Sequence, residues 1–342
     1  MRILIVRLGS LGDIVHALPA AAALRQHFRD AQIDWLVEAR HASVLELVPI
    51  IDRRVIVNRG SQASAGDAGP TPGVVETIRH LRTRGYDIAV DLQGLIKSAL
   101  FARLSGARRV VGFDRRSLRE PLAAVFYSET YAVGASHVVD KNLGLVSALG
   151  IESTLRRFPI DVPASPAAVA VQQDLGRVGS YAMINPGAAW PNKRWPAGRF
   201  GAVAAWLRER HALPSVVVWG AGERDLAERV SEASGGAARI APPTGIGDLL
   251  AIAQGARLVV SGDTGPLHLA AAVGAPIVGL FGPTDPMRNG PWDAADISLS
   301  RFHVCGCHYR RRCRRRRPCL EDISIGDVQG AVDRRLAAGG HV

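Results

Sequence analysis

Arg2-Ile3-Leu4-Ile5-Val6-Arg7-Leu8-Gly9-Ser10-Leu11-Gly12-Asp13-Ile14-Val15-His16 is the stretch whose reading decides the fold. The apolar run from Ile3 to Val6 does not alternate with polar residues. It predicts a strand over 2–7 covered on both faces, and such strands belong to parallel sheets. Gly9 and Gly12 break the run, and an amphipathic pattern then predicts a helix from Asp13 to Phe28. Strand, glycine turn and helix together open a doubly wound α/β sheet, where ligands meet the carboxyl ends of the strands. Glycines in such a turn let a substrate approach the backbone, and Asp13 stands at the helix start. Local pattern leaves two roles open for Asp13, a helix cap or an acid facing substrate. The turn lacks the third glycine of a dinucleotide fingerprint, so support for NAD is weak.

The same alternation continues outward. Strands are expected at 33–37, 54–57, 86–91 and 109–112, and the Gly/Ser/Pro-rich stretch from Gly60 to Gly73 reads as a mobile loop. Pro159, Pro163 and Pro166 mark a shift in composition. A second series follows, with strands at 181–185, 215–219, 257–261 and 276–280 and helices at 197–209, 224–233 and 266–273. The chain's 342 residues suit two domains. The expected division is an amino-terminal domain over 1–160, a linker over 161–179, a second domain over 180–322, and a helix within 323–342 that packs back on the first domain. The fold class is α/β, two Rossmann-like domains facing across a cleft.

Forty-two Lys+Arg against 31 Asp+Glu leave a net charge of +11, which favours an anionic partner. Arg7 and Asp13 interrupt any signal-peptide core. The uncharged stretch Thr264–Thr284 is broken by Gly265, Gly274, Gly279 and Gly282 and by three prolines, which suits helix, turn and strand better than a membrane helix. A cytoplasmic protein is expected, its basic face available to an anionic membrane surface.

Three further turns carry chemistry. Ser261-Gly262-Asp263-Thr264-Gly265-Pro266-Leu267-His268 repeats strand, tight turn and helix, so open N–H groups from Thr264 to Leu267 and the helix dipole would cradle a diphosphate. His268, taken alone, reads as a packed first-turn residue. Asn185-Pro186-Gly187-Ala188-Ala189-Trp190-Pro191-Asn192-Lys193-Arg194-Trp195-Pro196 ends another strand and offers Lys193 as a point charge for phosphate. Trp219-Gly220-Ala221-Gly222-Glu223 places an acid where ribose hydroxyls could donate to it, while Asp225 occupies the place of a third glycine.

Taken together, Gly12-Asp13 with His16, Pro186-Gly187 before Lys193-Arg194-Trp195-Pro196, Gly220-x-Gly222-Glu223 and Gly262-Asp263-Thr264-Gly265-Pro266-x-His268 resemble glycosyltransferase family 9, the ADP-heptose:lipopolysaccharide heptosyltransferases. Asp91-Leu92-Gln93-Gly94-Leu95-Ile96-Lys97-Ser98, Arg119-Glu120-Pro121-Leu122 and Phe126-Tyr127 look most like the members that add the first heptose to the Kdo-containing inner core. The resemblance implies a GT-B fold, acceptor on the amino-terminal half and ADP-heptose on the other. It implies Asp13 as general base and a donor site of Ser10, Gly12, Lys193, Glu223, Asp263, Thr264, Gly265, Pro266 and His268. It also implies an inverting transfer without a metal, and the sequence holds no Asp-x-Asp pair for a divalent ion. Arg59, Lys97 and Arg119 are the expected contacts to an anionic Kdo-lipid A acceptor; another heptosyl acceptor within the family is the alternative. Ala188 and Ala189 stand where first-heptose enzymes tend to have a threonine pair, which leaves the identity of the donor sugar open. A monomer is expected.

Cys305, Cys307, Cys313 and Cys319 lie within fifteen residues that also hold seven arginines. Four thiols can close around zinc or iron as a structural site, and the arginines are expected to lower their pKa values; free thiols or a local disulfide are the alternatives. A basic nucleic-acid-binding protein with this segment as a knuckle is a reading of another class, but it leaves Asp13, Lys193 and Glu223 idle and lacks an RNA-binding aromatic motif. No nucleic-acid partner is therefore expected. A nicotinamide-dependent dehydrogenase fails on the missing third glycine at both candidate turns.

Overall fold

The computed structural model describes residues 1–58, 73–152, 157–176, 179–313 and 315–338. Arg59 and nearly all of the expected Gly60–Gly73 loop fall outside them. The chain divides into two units, Met1–Asp161 and Val162–Val342.

Unit 1 is a six-stranded parallel sheet of β1 (Arg2–Val6), β2 (Gln32–Glu38), β3 (Arg53–Val57), β4 (Ile88–Asp91), β5 (Arg109–Phe113) and β6 (Glu129–Tyr131) in the order β3-β2-β1-β4-β5-β6. Its helices are α1 (Leu11–Val15), α2 (Leu18–His27), α3 (Val74–Arg84), α4 (Ile96–Leu104) and α5 (Val138–Ser147). Ile3, Leu4, Ile5 and Val6 are all fully buried, as a central strand covered on both faces requires. The single helix expected from Asp13 to Phe28 is in fact two. Pro19 has no N–H to give the Val15 carbonyl, so the ladder restarts with Ala21 N–H on the Ala17 carbonyl at 3.1 Å. The first piece begins at Leu11, which makes Asp13 its third residue.

Unit 2 opens with α6 (Pro166–Asp174) and carries β7 (Ala182–Asn185), β8 (Ser215–Val217), β9 (Ala238–Ile240), β10 (Leu258–Gly262), β11 (Ile277–Phe281) and β12 (Ile297–Ser300) in the order β12-β11-β10-β7-β8-β9, again all parallel. Counted from its own first strand, this is the strand order of unit 1. The remaining helices are α7 (Ala197–His211), α8 (Arg224–Ala233), α9 (Ile246–Gln254), α10 (Gly265–Ala272), α11 (Pro286–Asn289) and α12 (Ile325–Ala338). Side chains alternate across the sheet. Ala182, Ile184, Leu258, Val260, Val278 and Leu280 pack with α7, α8 and α12, whereas Met183, Val259 and Ile277 pack with α6, α9 and α10. Burying one such Val or Ile contributes about 1.5–3 kcal/mol.

Residues 161–179, read from sequence as a linker, carry α6, whose Val171 is buried in the core of unit 2 and whose cap Ser165 donates to Asp248 at 2.6 Å. The helix within 323–342 is α12. It lays Val328, Ala331 and Val332 on α7, β11 and β12, and its Arg335 reaches Asp296, just before β12, at 2.8 Å with both side chains buried. Burial raises the Asp296 carboxyl above its ordinary range against the pull of Arg335. Among the described residues no helix is long and apolar enough to cross a membrane.

In each sheet the order reverses beside the first strand, between β1 and β4 and between β7 and β10. Loops leaving these strand ends diverge and open a crevice for ligands. All four loops carry residues singled out by sequence.

Candidate active site

At the end of β1, Arg7 is buried and its guanidinium faces two ways. Nη2 pairs with Asp13 Oδ1 at 2.7 Å, and Nη1 donates to the Leu92 carbonyl beyond β4. Asp13 Oδ2 accepts the Ser10 N–H at 3.0 Å and its hydroxyl at 2.9 Å. The carboxylate thus caps α1 through Ser10 and still keeps 34% of its side chain accessible. Burial acts to raise its pKa, but Arg7, His16 and the Ser10 bonds outweigh burial and bring it to about 2. Asp13 is therefore a half-buried, ionised acid held just past a strand end. Ser10 and Gly12, expected at the donor, are parts of this loop: the Ser10 hydroxyl is committed to Asp13 and Gly12 is buried in α1. Gly9 is required by closeness, since a Cβ there would stand 2.5 Å from the His41 ring.

The β4–α4 turn holds this loop from the other side. Asp91, fully buried, accepts the N–H groups of Gln93 (2.8 Å) and Gly94 (3.1 Å) and the hydroxyls of Ser98 and Tyr127 (both 2.8 Å). Tyr127 reaches it over Gly112, where any Cβ would overlap the ring. Burial raises the Asp91 pKa more than these neutral donors lower it. Gln93, set by this turn, accepts the Leu8 N–H at 2.8 Å. Lys97 on α4 lies 3.4 Å from Glu38, which Arg40 also binds at 2.8 Å. Burial opposes ionisation of Glu38, yet Lys97 and Arg40 hold its pKa below the ordinary range. Arg119 is exposed beyond β5. Of the three expected acceptor cations, Arg59 is not among the described residues.

In unit 2 the β7 and β10 loops are tied together. Lys193 Nζ pairs with Asp263 Oδ2 at 2.5 Å and donates to the Asp263 carbonyl at 3.2 Å, and it lies 4.8 Å from the centre of the Trp190 ring. Asp263 also accepts from Thr284 (2.6 Å) and Asn289 (2.8 Å) and faces His268 Nε2 at 3.1 Å. Burial again acts to raise its pKa, but His268 and Lys193 drive it far below the carboxylate range. Only 3% of Asp263 is exposed, so it orients Lys193 and offers little surface to a ligand; His268 is buried in the same network, as its lone reading suggested. Asn185 donates to Ser261 and Thr264, both at 2.9 Å, fixing the turn before α10. The N–H groups expected to be open over Thr264–Leu267 reduce to two. Pro266 has none and Leu267 donates to the Thr264 carbonyl at 3.1 Å, which leaves Thr264 and Gly265.

Glu223 bonds the Gly220 N–H at 3.3 Å and lies 3.4 Å from Arg194, whose Nε donates to the Ala188 carbonyl at 2.8 Å. Its carboxylate lies over Gly187 so closely that any Cβ there would overlap it. Ala188 contributes a main-chain carbonyl, and Ala189 is exposed. Sequence reading quoted the stretches holding Arg7, Gln93, Asn185 and Arg194 but assigned these four no role at the site. Each acts by holding another functional residue, and the available signal was a charged or amide side chain directly after a buried strand or within a strand-end loop.

Cys305, Cys307 and Cys319 are buried with their sulfurs within 4.8 Å of one another, and Cys313 packs against them. The expectation that arginines lower the thiol pKa values does not hold for Cys307 and Cys319. Burial and then the neighbouring thiol Cys305 raise both, because the guanidinium groups point to solvent while the thiols point inward.

Residues 74–317 match the family described as glycosyltransferase family 9 (heptosyltransferase). Lipopolysaccharide heptosyltransferase 1 of Pseudomonas aeruginosa is 31% identical over 96% of this chain and 92% of its own length. The protein of that name from Escherichia coli K12 is 30% identical over 84% of this chain and 89% of its own. Among solved structures, E. coli heptosyltransferase WaaC with ADP-2-deoxy-2-fluoro heptose superposes with a TM-score of 0.75 at 26% identity, covering 97% of this chain and 99% of that one. E. coli ADP-heptose lps heptosyltransferase II, at 18% identity, shares the fold with a TM-score of 0.74 over 99% of both chains. With its acid at one switch point and its cation and N–H cradle at the other, this chain belongs to glycosyltransferase family 9, the heptosyltransferases.

Proposed function

We propose that this enzyme transfers heptose from ADP-L-glycero-D-manno-heptose to the Kdo-lipid A inner core of lipopolysaccharide, with inversion and without a catalytic metal. The observation that carries the reading is the division of labour between the switch points. An accessible, ionised carboxylate ends β1, and a lysine beside two open N–H groups ends β7 and β10.

Asp13 takes the proton of the acceptor hydroxyl as the new bond forms, a contribution of about 10²- to 10⁴-fold. Its basicity is low while Arg7 and Ser10 share its charge. A sugar placed against the accessible part of this side chain displaces water and raises it. Attack from the face opposite ADP inverts the anomeric carbon. Charge growing on the leaving diphosphate meets Lys193 and the N–H groups of Thr264 and Gly265, fixed before the reaction begins. Glu223 accepts from the adenosine ribose, with Arg194 and the Gly187 surface holding it in place. Lys97 and Arg119, together with Arg59 as the sequence reading expects, bind the carboxylates and phosphates of the acceptor. A metal held by Cys305, Cys307, Cys313 and Cys319 would be structural, since base and donor groups lie elsewhere. The enzyme works as a cytoplasmic monomer that touches the inner membrane through its basic surface.

Mass spectrometry of the product after incubation with ADP-heptose and Kdo-lipid A tests the reading. One added heptose supports it. No transfer to Kdo-lipid A, with transfer to an acceptor already carrying heptose, would move the enzyme to another step of the same family.

A further inference from the structure

The cysteine segment touches the β7 loop that carries Lys193 and the loop after β11 that braces its partner Asp263. Asn192, next to Lys193 and 3% exposed, donates from Nδ2 to the Arg310 carbonyl at 2.8 Å and lies 3.8 Å from Cys307 Sγ. The Tyr309 N–H donates to the Pro283 carbonyl at 2.8 Å, and Cys319 Sγ packs on Gly282, where a Cβ would meet it at 3.4 Å. Residues 282–289 supply Thr284 and Asn289 to Asp263. Arg311 lies 5.8 Å from the centre of the Trp190 ring that Lys193 also faces.

The sulfur cluster suits a metal. Four thiolates bonded to zinc at about 2.3 Å stand about 3.8 Å apart; the sulfurs of Cys305, Cys307 and Cys319 lie within 4.8 Å of one another, with Cys305 and Cys307 at 2.8 Å, so loading spreads that pair. Four thiolates around a divalent ion carry a net charge of −2, and the segment that holds them also carries exposed arginines at 310, 311, 312, 315, 316 and 317. The Asn192 amide beside Cys307 is the kind of N–H that steadies a ligating sulfur.

We propose that Cys305, Cys307, Cys313 and Cys319 bind one thiophilic divalent metal, zinc or ferrous iron, and that the loaded site sets the ADP affinity of unit 2 by fixing Asn192 beside Lys193 and Arg311 over Trp190. Each thiol gives up its proton as the metal binds, so loading releases four protons and needs no oxidant. The ADP clause rests on the donor reading above; the metal clause does not.

The test uses the full chain under reducing conditions. Its metal content is measured, the metal is stripped with a chelator, and Zn²⁺ or anaerobic Fe²⁺ alone is titrated back. ADP binding is then compared between the two forms. One tight equivalent is expected, with ADP bound about tenfold more weakly by the stripped form, the loss of one charge-assisted hydrogen bond. N192A should keep the metal and lose most of that difference, and it keeps the test decisive where cysteine variants fail to fold. Less than about half an equivalent after titration, or a Cys305–Cys307 disulfide in reduced protein, overturns the metal site. Equal ADP affinity of loaded and stripped forms overturns the coupling. Failure of every form to bind ADP refutes the donor reading instead, and the metal titration still decides the metal clause.

Discussion

Asp91 and Asp263 occupy equivalent places, each at the carboxyl end of the fourth strand of its unit and each buried, yet their acidities move in opposite directions. Around Asp91 every partner is neutral: two backbone N–H groups, a serine and a tyrosine. Around Asp263 stand Lys193 and a histidine. Burial pushes both carboxyls up, and at Asp263 the His268 bond and the Lys193 charge reverse the sign. One strand order thus supports two devices, a neutral brace that shapes the loop of Asp13 and a charged clamp that aims a lysine.

The contrast can be broken in several ways. The largest effect is expected from Asp13→Ala, which should cut transfer by about 10²- to 10⁴-fold and leave ADP affinity within about twofold, because unit 1 serves chemistry. A parallel loss of ADP binding would end the division of labour. Asp263→Asn should destabilise the protein by about 3–5 kcal/mol, the cost of leaving a buried cation unpaired, whereas Asp91→Asn should cost about 1 kcal/mol; urea unfolding measures both. Their pH signatures should also differ. Asp263, with its pKa lowered, contributes stability above the unfolded value that is lost as pH falls, so its removal flattens acid unfolding. Asp91, with its pKa raised, gains protons on folding, so its removal steepens acid unfolding. Identical acid limbs would show that the two acids do not differ as described.

Lys193→Ala should weaken ADP about 10- to 100-fold and adenosine far less, by loss of a charge-assisted bond of about 1.5–3 kcal/mol. Glu223→Ala should weaken both alike. Equal losses for ADP and adenosine in the lysine variant would remove Lys193 from the diphosphate. The smallest expected effect is on pH dependence. With Asp13 at about 2, wild-type kcat/KM should show no acid limb from this group at ordinary pH. Arg7→Met removes the main lowering influence, so the limb should rise toward the ordinary carboxylate range, and an unmoved profile would leave Arg7 as packing only.

Sequence patterning disclosed the inner strands because burial on both faces writes an unbroken apolar run, as in β1, β4, β10 and β11. It missed β6, β9 and β12. These are edge strands of three or four residues with mixed exposure, stabilised by one neighbour each and not by their own composition. Asp13, Lys193, Glu223 and Asp263 were legible because glycine turns at strand ends announce them. Arg7 and Gln93 were not, since their partners Leu92 and Leu8 lie 85 residues away and no local pattern encodes that distance.

The Arg335–Asp296 clamp has a consequence for synthesis on the ribosome. Unit 1 finishes its sheet at Tyr131, and α5 packs on α2 soon afterwards. In unit 2 the carboxylate preceding β12 waits 39 residues for its counter-charge. At about 5–20 residues per second, that gap lasts about 2–8 s. Through most of it the nascent chain leaves bare the α7 and β11 surfaces that α12 later covers.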